Sequence, residues 1–298
     1  MIIRAQNLLK RYGELVAVDE IDFDIERGEA IGLLGPNGAG KTTTISMLVG
    51  LLEPDSGTVT INDSGSPQQP ELRKLIGIAP QKLSLYEELT AKENLTFFSR
   101  LHVLSSSQTR QRVSWCLEFA GLSDRANDLV RNYSGGMQRR LNLASALVHE
   151  PEIVLLDEPT VGVDPQSRNH LFEKIEHLKE QGVTILYTTH YMEEAQRLCD
   201  RVAIMDHGKI LDIDKTESLL QRHGGRSVVT AIVDELPTSL KSDLKLHDGN
   251  QLRLESTDPV EQISSLHREG LRFSSLQIKQ PDLESVFLKL TGRSLRDE

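Results

Sequence analysis

Gly35-Pro36-Asn37-Gly38-Ala39-Gly40-Lys41-Thr42 fits the pattern GxxxxGK[ST]. Glycines at these positions let the backbone turn tightly, so that its N–H groups converge on phosphate oxygens. A helix opening at the end of the loop adds the positive end of its dipole. Lys41 supplies a point charge for β- and γ-phosphates, and Thr42 a hydroxyl suited to Mg²⁺. The loop therefore predicts nucleotide binding, without saying what the energy drives.

About 115 residues further on, Ile153-Val154-Leu155-Leu156 runs into Asp157-Glu158. Asp157 at the C-terminal end of such a strand can meet a metal beside the phosphate loop. Glu158 is then placed to polarise an attacking water. Neighbours within a strand point to opposite sides, but at a strand end the two carboxylates can diverge into separate roles. His190 closes a third apolar run after Thr188-Thr189 and can reach a γ-phosphate or the water. Each feature alone has a plain explanation: a strand leaving the core, or a solvated histidine. Together they fit the rule that ligands of open parallel sheets bind at strand C-terminal ends.

The elements around these residues alternate. Ile21 to Ile25 reads as a half-buried strand, and Ala30 to Leu34 as a buried one feeding the glycine loop. A helix is expected from Thr42 to about Leu51. Helices follow at Glu93 to Leu104, Gln108 to Ala120 and Gly135 to Val148. Strand Ile153 to Leu156, a helix over 166–180 and strand Val183 to Tyr187 come next. Strands alternating with helices predict a parallel sheet covered on both faces. Arg139 and Arg140 read as a charged face of the third of those helices rather than a nucleic-acid patch.

After about residue 220 the texture changes. Gln221-Arg222-His223-Gly224-Gly225-Arg226 reads as a polar linker. Strands are expected at Val228 to Val233, Leu244 to His247, Gln251 to Leu254 and 271–279. Asp248-Gly249-Asn250 is a hairpin signal, and helices are expected near 259–269 and 282–291. Pro281 would open the last helix, with Leu283, Val286, Phe287 and Leu290 on its apolar face. The domains are thus 1–220 and a small α+β domain, 221–298.

The chain has 298 residues, 34 basic and 44 acidic, a net charge of -10. That balance argues against general binding to a phosphate backbone, so no nucleic-acid partner is expected. Cys116 and Cys199 lack CxxC spacing and read as buried thiols, which fits a reducing compartment. No apolar run approaches the roughly 18 residues of a membrane span, and the N-terminus lacks a signal peptide's apolar core.

One more motif gives the set a family. Tyr133-Ser134-Gly135-Gly136-Met137-Gln138 lies just before the acidic strand. In this order the motifs resemble those of an ATP-binding-cassette (ABC) ATPase over residues 2–220. The resemblance implies a P-loop NTPase α/β core with a parallel sheet, an antiparallel β subdomain and a helical subdomain. It implies ATP and Mg²⁺ as ligands, with contacts from Gly35 through Thr42 and from Thr43. It makes Glu158, His190, Lys41 and Gln81 the catalytic set, and Thr42, Gln81 and Asp157 the metal set. Gln81 matches the Q-loop glutamine, Tyr12 the aromatic that stacks on adenine, and Asp164 the D-loop aspartate.

Ser134, Gly135 and Gly136 match the signature, commonly LSGGQ, from which Tyr133 and Met137 depart. By this resemblance they cap the γ-phosphate held by a second copy in a head-to-tail dimer. Residues 281–292 and 86–95 are similar to a group powering multidrug, antibiotic-resistance and nodulation-factor exporters with separate permeases. The expected place is the cytoplasmic face of the membrane, with residues 77–95 docking the permease. A soluble ABC ATPase acting on ribosomes or DNA is the alternative; such proteins usually carry two cassettes or a long coiled coil, which this chain lacks.

Overall fold

The computed structural model describes residues 1–235, 237, 246–247 and 250–293. It divides into two compact units, Met1–Lys215 and Thr216–Glu298. Leu244 and the Asp248-Gly249 pair of the expected hairpin lie outside the described residues.

The first unit is built on a six-stranded sheet. Its strands are β3 (Ala30–Leu34), β5 (Ile76–Ala79), β6 (Ile153–Asp157), β7 (Thr184–Thr189), β8 (Arg201–Asp206) and β9 (Lys209–Asp214), in the order β5-β6-β7-β3-β8-β9. All neighbours pair parallel except β9, which runs antiparallel at the edge. Every residue of β3, β6 and β7 is buried. This is why these strands read as apolar runs without alternation. Each such Ile, Val or Leu contributes about 1.5–3 kcal/mol by leaving water. A second sheet, antiparallel, has the order β2-β1-β4, from β1 (Ile3–Tyr12), β2 (Leu15–Ile25) and β4 (Ser56–Ile61). Its buried Ile3, Leu8, Phe23, Ile25 and Ile61 share one core with Leu33, Leu155 and Leu186.

Helices α1 (Lys41–Leu48), α6 (Pro165–Glu180) and α7 (Met192–Leu198) flank the parallel strands, and α2 (Pro70–Arg73) is a single turn before β5. A helical layer comprises α3 (Ala91–Leu101), α4 (Ser106–Ala120) and α5 (Gly135–Ala146). Helices α3 and α4 start two residues earlier than their apolar periodicity suggests, because each opens on a capping box. Thr90 and Glu93 exchange bonds at one start, and Ser105 and Gln108 at the other. Gly121, at φ 62°, terminates α4 in the left-handed conformation.

The second unit begins with α8 (Thr216–His223). The expected linker is therefore partly helical: Gln221, Arg222 and His223 form the last turn of α8, which buries Leu219 and packs on α10 (Leu283–Thr291). An antiparallel sheet has the order β11-β12-β10-β13, from β10 (Ser227–Glu235), β11 (Leu246–His247), β12 (Gln251–Ser256) and β13 (Arg272–Lys279). Helix α9 (Pro259–Arg268) places Leu266 against Ala231, Val233 and Leu252. Pro281 does not open α10. Asp282 caps it by accepting the Ser285 N–H, and Leu283, Val286 and Phe287 are buried.

Both cysteines are buried and unpaired, and burial pushes the Cys116 thiol up to about 12. A Cβ on Gly32 of β3 would come within 2.9 Å of the Cys199 sulfur, so that strand position must be bare.

One titratable core group predicts a pH dependence. His149 stacks on His102 with ring centroids 3.6 Å apart, and its Nε2 lies 3.1 Å from the Ile76 carbonyl. Burial, and then the neighbouring His102, push its pKa from 6.5 down to about 4. Between these values the unfolded chain binds a proton that the folded chain refuses. The stability from neutral His149 is therefore complete above pH 6.5 and lost as pH falls towards 4, by on the order of 2 kcal/mol. His149→Gln should flatten that slope in urea unfolding followed from pH 7 to pH 4; an unchanged slope would reject the assignment.

Candidate active site

Three neighbouring strands bring the candidate residues together. Asp157 pairs in register with Thr188, and Leu34, the last residue before the glycine loop, pairs with Thr189. The ends of β6, β7 and β3 therefore lie side by side. Gly35 N–H donates to the Thr189 carbonyl at 3.3 Å, which ties the start of the loop to the residue before His190.

The loop has a buried base and an open tip: Gly35 and Pro36 are buried, Asn37 and Gly38 exposed. Gly40 has φ 105°, and a Cβ there would meet the Ala17 carbonyl oxygen at 2.3 Å. Gly38 has φ 78° with open space around it. Ala39 is buried, and its N–H donates to the Pro36 carbonyl at 3.2 Å. Lys41 opens α1 and is 4% exposed. Its ammonium donates to the carbonyls of Gly35 and Pro36 at 2.8 and 2.9 Å and lies 3.1 Å from Glu158 Oε1. The Thr42 hydroxyl donates to Asp157 Oδ2 at 3.1 Å. Thr43, half-buried, stands beside it in the first turn.

Glu158 is the convergence point. The strand ends at Asp157, and Glu158 turns into the left-handed region at φ 44°. This conformation is unfavourable for a residue with a Cβ. It is fixed because the Glu158 N–H donates to the Thr188 hydroxyl at 3.0 Å, while that hydroxyl donates to Asp157 Oδ1 at 2.6 Å. The two carboxylates thereby diverge. Asp157 faces Thr42, and Glu158 faces Lys41, Gln81 and His190. Gln81 Nε2 donates to Glu158 Oε2 at 3.1 Å. His190 Nδ1 lies 3.3 Å from the same oxygen but off the line of a hydrogen bond, so this buried nitrogen has no hydrogen-bond partner. An unpartnered nitrogen beside a carboxylate suits a site that receives a further polar group.

Ser134 and Asp164 are both helix N-caps. Ser134 accepts the Met137 N–H at 3.3 Å at the start of α5, and Asp164 accepts the Ser167 N–H at 3.0 Å at the start of α6. Hydrogen bonds from the Ser167 backbone and then its hydroxyl hold the Asp164 carboxyl below its usual range. Ser134 and Gly135 are exposed, whereas a Cβ on Gly136 would meet the Ser167 hydroxyl at 2.2 Å. Among the described residues no hydrogen bond or ion pair joins Ser134, Gly135 or Gly136 to the glycine loop. Tyr12, half exposed, ends β1 with no hydrogen bond from its side chain among the described residues. Tyr133 is buried and its hydroxyl donates to the Arg125 carbonyl at 2.7 Å, so the larger side chain is fully accommodated before the signature serine.

Arg139 and Arg140 are not a solvated charged face. Arg139 donates to the carbonyls of Gln81 and Val161, and Arg140 to that of Ala120. Burial holds both guanidinium groups below their usual range. Two further residues hold the site: Thr188, which the sequence shows only as a hydroxyl at the end of an apolar strand, and Glu194, whose spacing from Ala195 and Leu198 places it on the inner side of α7.

A family profile described as ABC transporter matches residues 18–161. The linearmycin resistance ATP-binding protein LnrL of Bacillus subtilis is 40% identical over 99% of this chain and 100% of its own length. The chain belongs to the ATP-binding subunits of ABC transporters. Nod factor export ATP-binding protein I of Cupriavidus metallidurans is 41% identical over 99% of both chains. Among solved structures, an ATP-binding subunit of an ABC transporter superposes with TM-score 0.67 at 30% identity, covering 74% of this chain and 93% of the other. A dimeric cassette in a post-hydrolysis state bound to ADP and Pi gives 0.66 at 28%, covering 72% and 98%. This ABC subunit is an ATP-binding hydrolase with an α/β cassette core.

Gly40→Ala should weaken binding of a fluorescent ATP analogue more than tenfold and lower the melting temperature, since backbone strain of this kind costs about 1–3 kcal/mol. Gly38→Ala, with free space around its Cβ, should melt higher than Gly40→Ala. The reverse order of melting temperatures would contradict the loop geometry.

Proposed function

We propose that this subunit hydrolyses ATP at the cytoplasmic face of the membrane to drive an exporter whose permease is a separate polypeptide. The observation that carries the catalytic reading is the convergence of Lys41, Gln81 and His190 on Glu158 at one sheet edge. Two full-length relatives named for resistance and for export support the exporter reading, since their likeness extends through the second unit.

The steps follow from the side chains. The Tyr12 ring stacks on adenine, and the N–H groups from Gly35 to Thr43 surround the phosphates. Lys41 exchanges Glu158 and the two loop carbonyls for β- and γ-phosphate oxygens. Glu158, freed from the ammonium, accepts a hydrogen bond from the attacking water and polarises it. His190 fills its unpartnered Nδ1 valence on the γ-phosphate or that water. The hydroxyl of Thr42, the Asp157 carboxylate and the Gln81 amide are an oxygen-rich set that fits a hard cation and would hold Mg²⁺. When bound, that ion neutralises charge on the phosphate oxygens.

A second copy completes the site. The exposed N-terminus of α5, with Ser134, Gly135 and Gly136, caps the γ-phosphate held by its partner, and Asp164 lies at the same seam. Two ATP molecules then sit between two head-to-tail copies. Binding closes the pair and hydrolysis reopens it, which is the movement delivered to the permease. The surface over residues 77–95 receives the permease, next to Gln81. The second unit, residues 216–298, acts in stabilising or regulating the dimer.

Glu158→Gln should bind ATP, dimerise on size exclusion and lose more than about 99% of turnover, in line with loss of a catalytic base worth roughly 10²–10⁴. Trapped with ATP and extracted gently from membranes, it should carry a polytopic membrane protein with it. Normal turnover would refute the role of Glu158. Recovery with ribosomes or nucleic acid instead would refute the transporter role.

A further inference from the structure

Glu194 is a carboxylate that the catalytic scheme does not use, on the inner side of a short helix and only 2% exposed. An ionised carboxylate in such a place must be fully hydrogen-bonded. Three hydroxyls supply this. Thr160 donates to Oε1 at 2.7 Å; Thr189 and Tyr187 donate to Oε2 at 2.7 and 2.9 Å. The Arg168 guanidinium lies 3.9 Å from Oε1, too far for a hydrogen bond. The Tyr187 phenol is held well above its usual range by burial and then by the Glu194 charge, and so stays a donor.

The donors come from different segments. Thr160 stands two residues after Glu158, and Thr189 directly before His190. Thr189 is fixed further, because its hydroxyl also accepts the Tyr191 N–H at 2.8 Å, closing a bridge over His190. The segment after Glu158 is held from its other side as well: Arg139 donates to the Val161 carbonyl at 3.1 Å and to the Gln81 carbonyl. Thr160 and Val161 are thus pinned between two charged groups, one tied to the His190 segment and one tied to Gln81.

We propose that Glu194 is a positioning residue that locks the His190 segment to the loop between Glu158 and Asp164, so that His190 and Glu158 keep one relative placement during hydrolysis. An aliphatic side chain at position 194 would fill the same interior without desolvating a charge. It would leave Thr160, Tyr187 and Thr189 without their common acceptor, and the two loops free to move independently. Since a misplacement of about 1 Å in an active site can cost 10²-fold in rate, the lock acts on turnover more than on ATP binding. This inference rests on the reading of Glu158 and His190 as partners in hydrolysis.

The test uses the full-length chain, with phosphate release from γ-labelled ATP so that slow turnover remains readable. Thr160→Val is nearly isosteric and removes one bond of the lock. It should lower kcat roughly 10- to 100-fold with KM for ATP within about twofold, and Thr160→Ser should restore the rate. Thr189→Val should behave as Thr160→Val does, and Glu194→Gln should be slower than either. Decisively, Thr160→Val should have no further effect in a His190→Ala background, because both changes remove the same placement. Independent, multiplicative losses in that background would overturn the proposal, as would a normal kcat for Thr160→Val and Thr189→Val. A rise in KM matched by a fall in melting temperature would show a general packing role and overturn it too. If His190→Ala alone turns over normally, the underlying assignment of His190 fails, which is separable from failure of the lock.

Discussion

The parallel adjacency of β6, β7 and β3 is the constraint on which the molecule depends. Parallel neighbours cannot be joined by tight turns, so each connection must leave the sheet and return through a helix. The helices and the antiparallel sheet together bury both faces, and the strands become uniformly apolar. The chain can then become polar at one place only, where each strand ends. The phosphate loop, the acidic pair and His190 all leave the sheet at that edge, within one register step of each other. A slip of one residue in the β6–β7 pairing would carry Thr188 away from Asp157 and remove the hydroxyl that turns Glu158 inward.

Around that edge the buried charges of Lys41, Asp157 and Glu194 each have several partners. Lys41 has two carbonyls and Glu158, Asp157 has two hydroxyls, and Glu194 has three. Isolated charges would be costly there, whereas a connected set is tolerated and rigid. The outer ring is made differently. Ser134 and Asp164 are held only by the first turn of their own helices, and Arg139 and Arg140 reach from α5 to backbone carbonyls. The interior is fixed by buried side chains bonded to one another and to the loop carbonyls, and the starts of α5 and α6 by their own helix caps.

Much of this was legible in the residues because phosphate chemistry dictates residue type. Only glycine fits at Gly40, with its positive φ and a carbonyl pressed against it, so the motif and its strand-to-helix context could be read together. The parallel sheet followed from apolar runs such as Ile153 to Leu156. What escaped was decided by reach and by local bonding. Arg139 and Arg140 occupy an outward phase of α5, but a long side chain can fold back onto backbone carbonyls, and periodicity cannot show that. Gln221 to His223 look like a linker by composition, yet Leu219 carries them into a helix. The starts of α3 and α4 were in fact encoded, in Thr90-x-x-Glu93 and Ser105-x-x-Gln108, and outweighed the apolar phase. The turn at Glu158 depends on a hydroxyl on another strand, and no local pattern announces it.

The two buried thiols have a practical corollary. Cys116 and Cys199 are both enclosed, one bonded to the Ala144 carbonyl and the other pressed on bare Gly32. The surface is thus silent towards maleimide reagents in the native fold. A single cysteine introduced at an exposed site such as Val103, on the helical layer, would be the only handle for a spin label or fluorophore, with the native thiols left in place. A label there would report on the helical layer of otherwise unmodified protein.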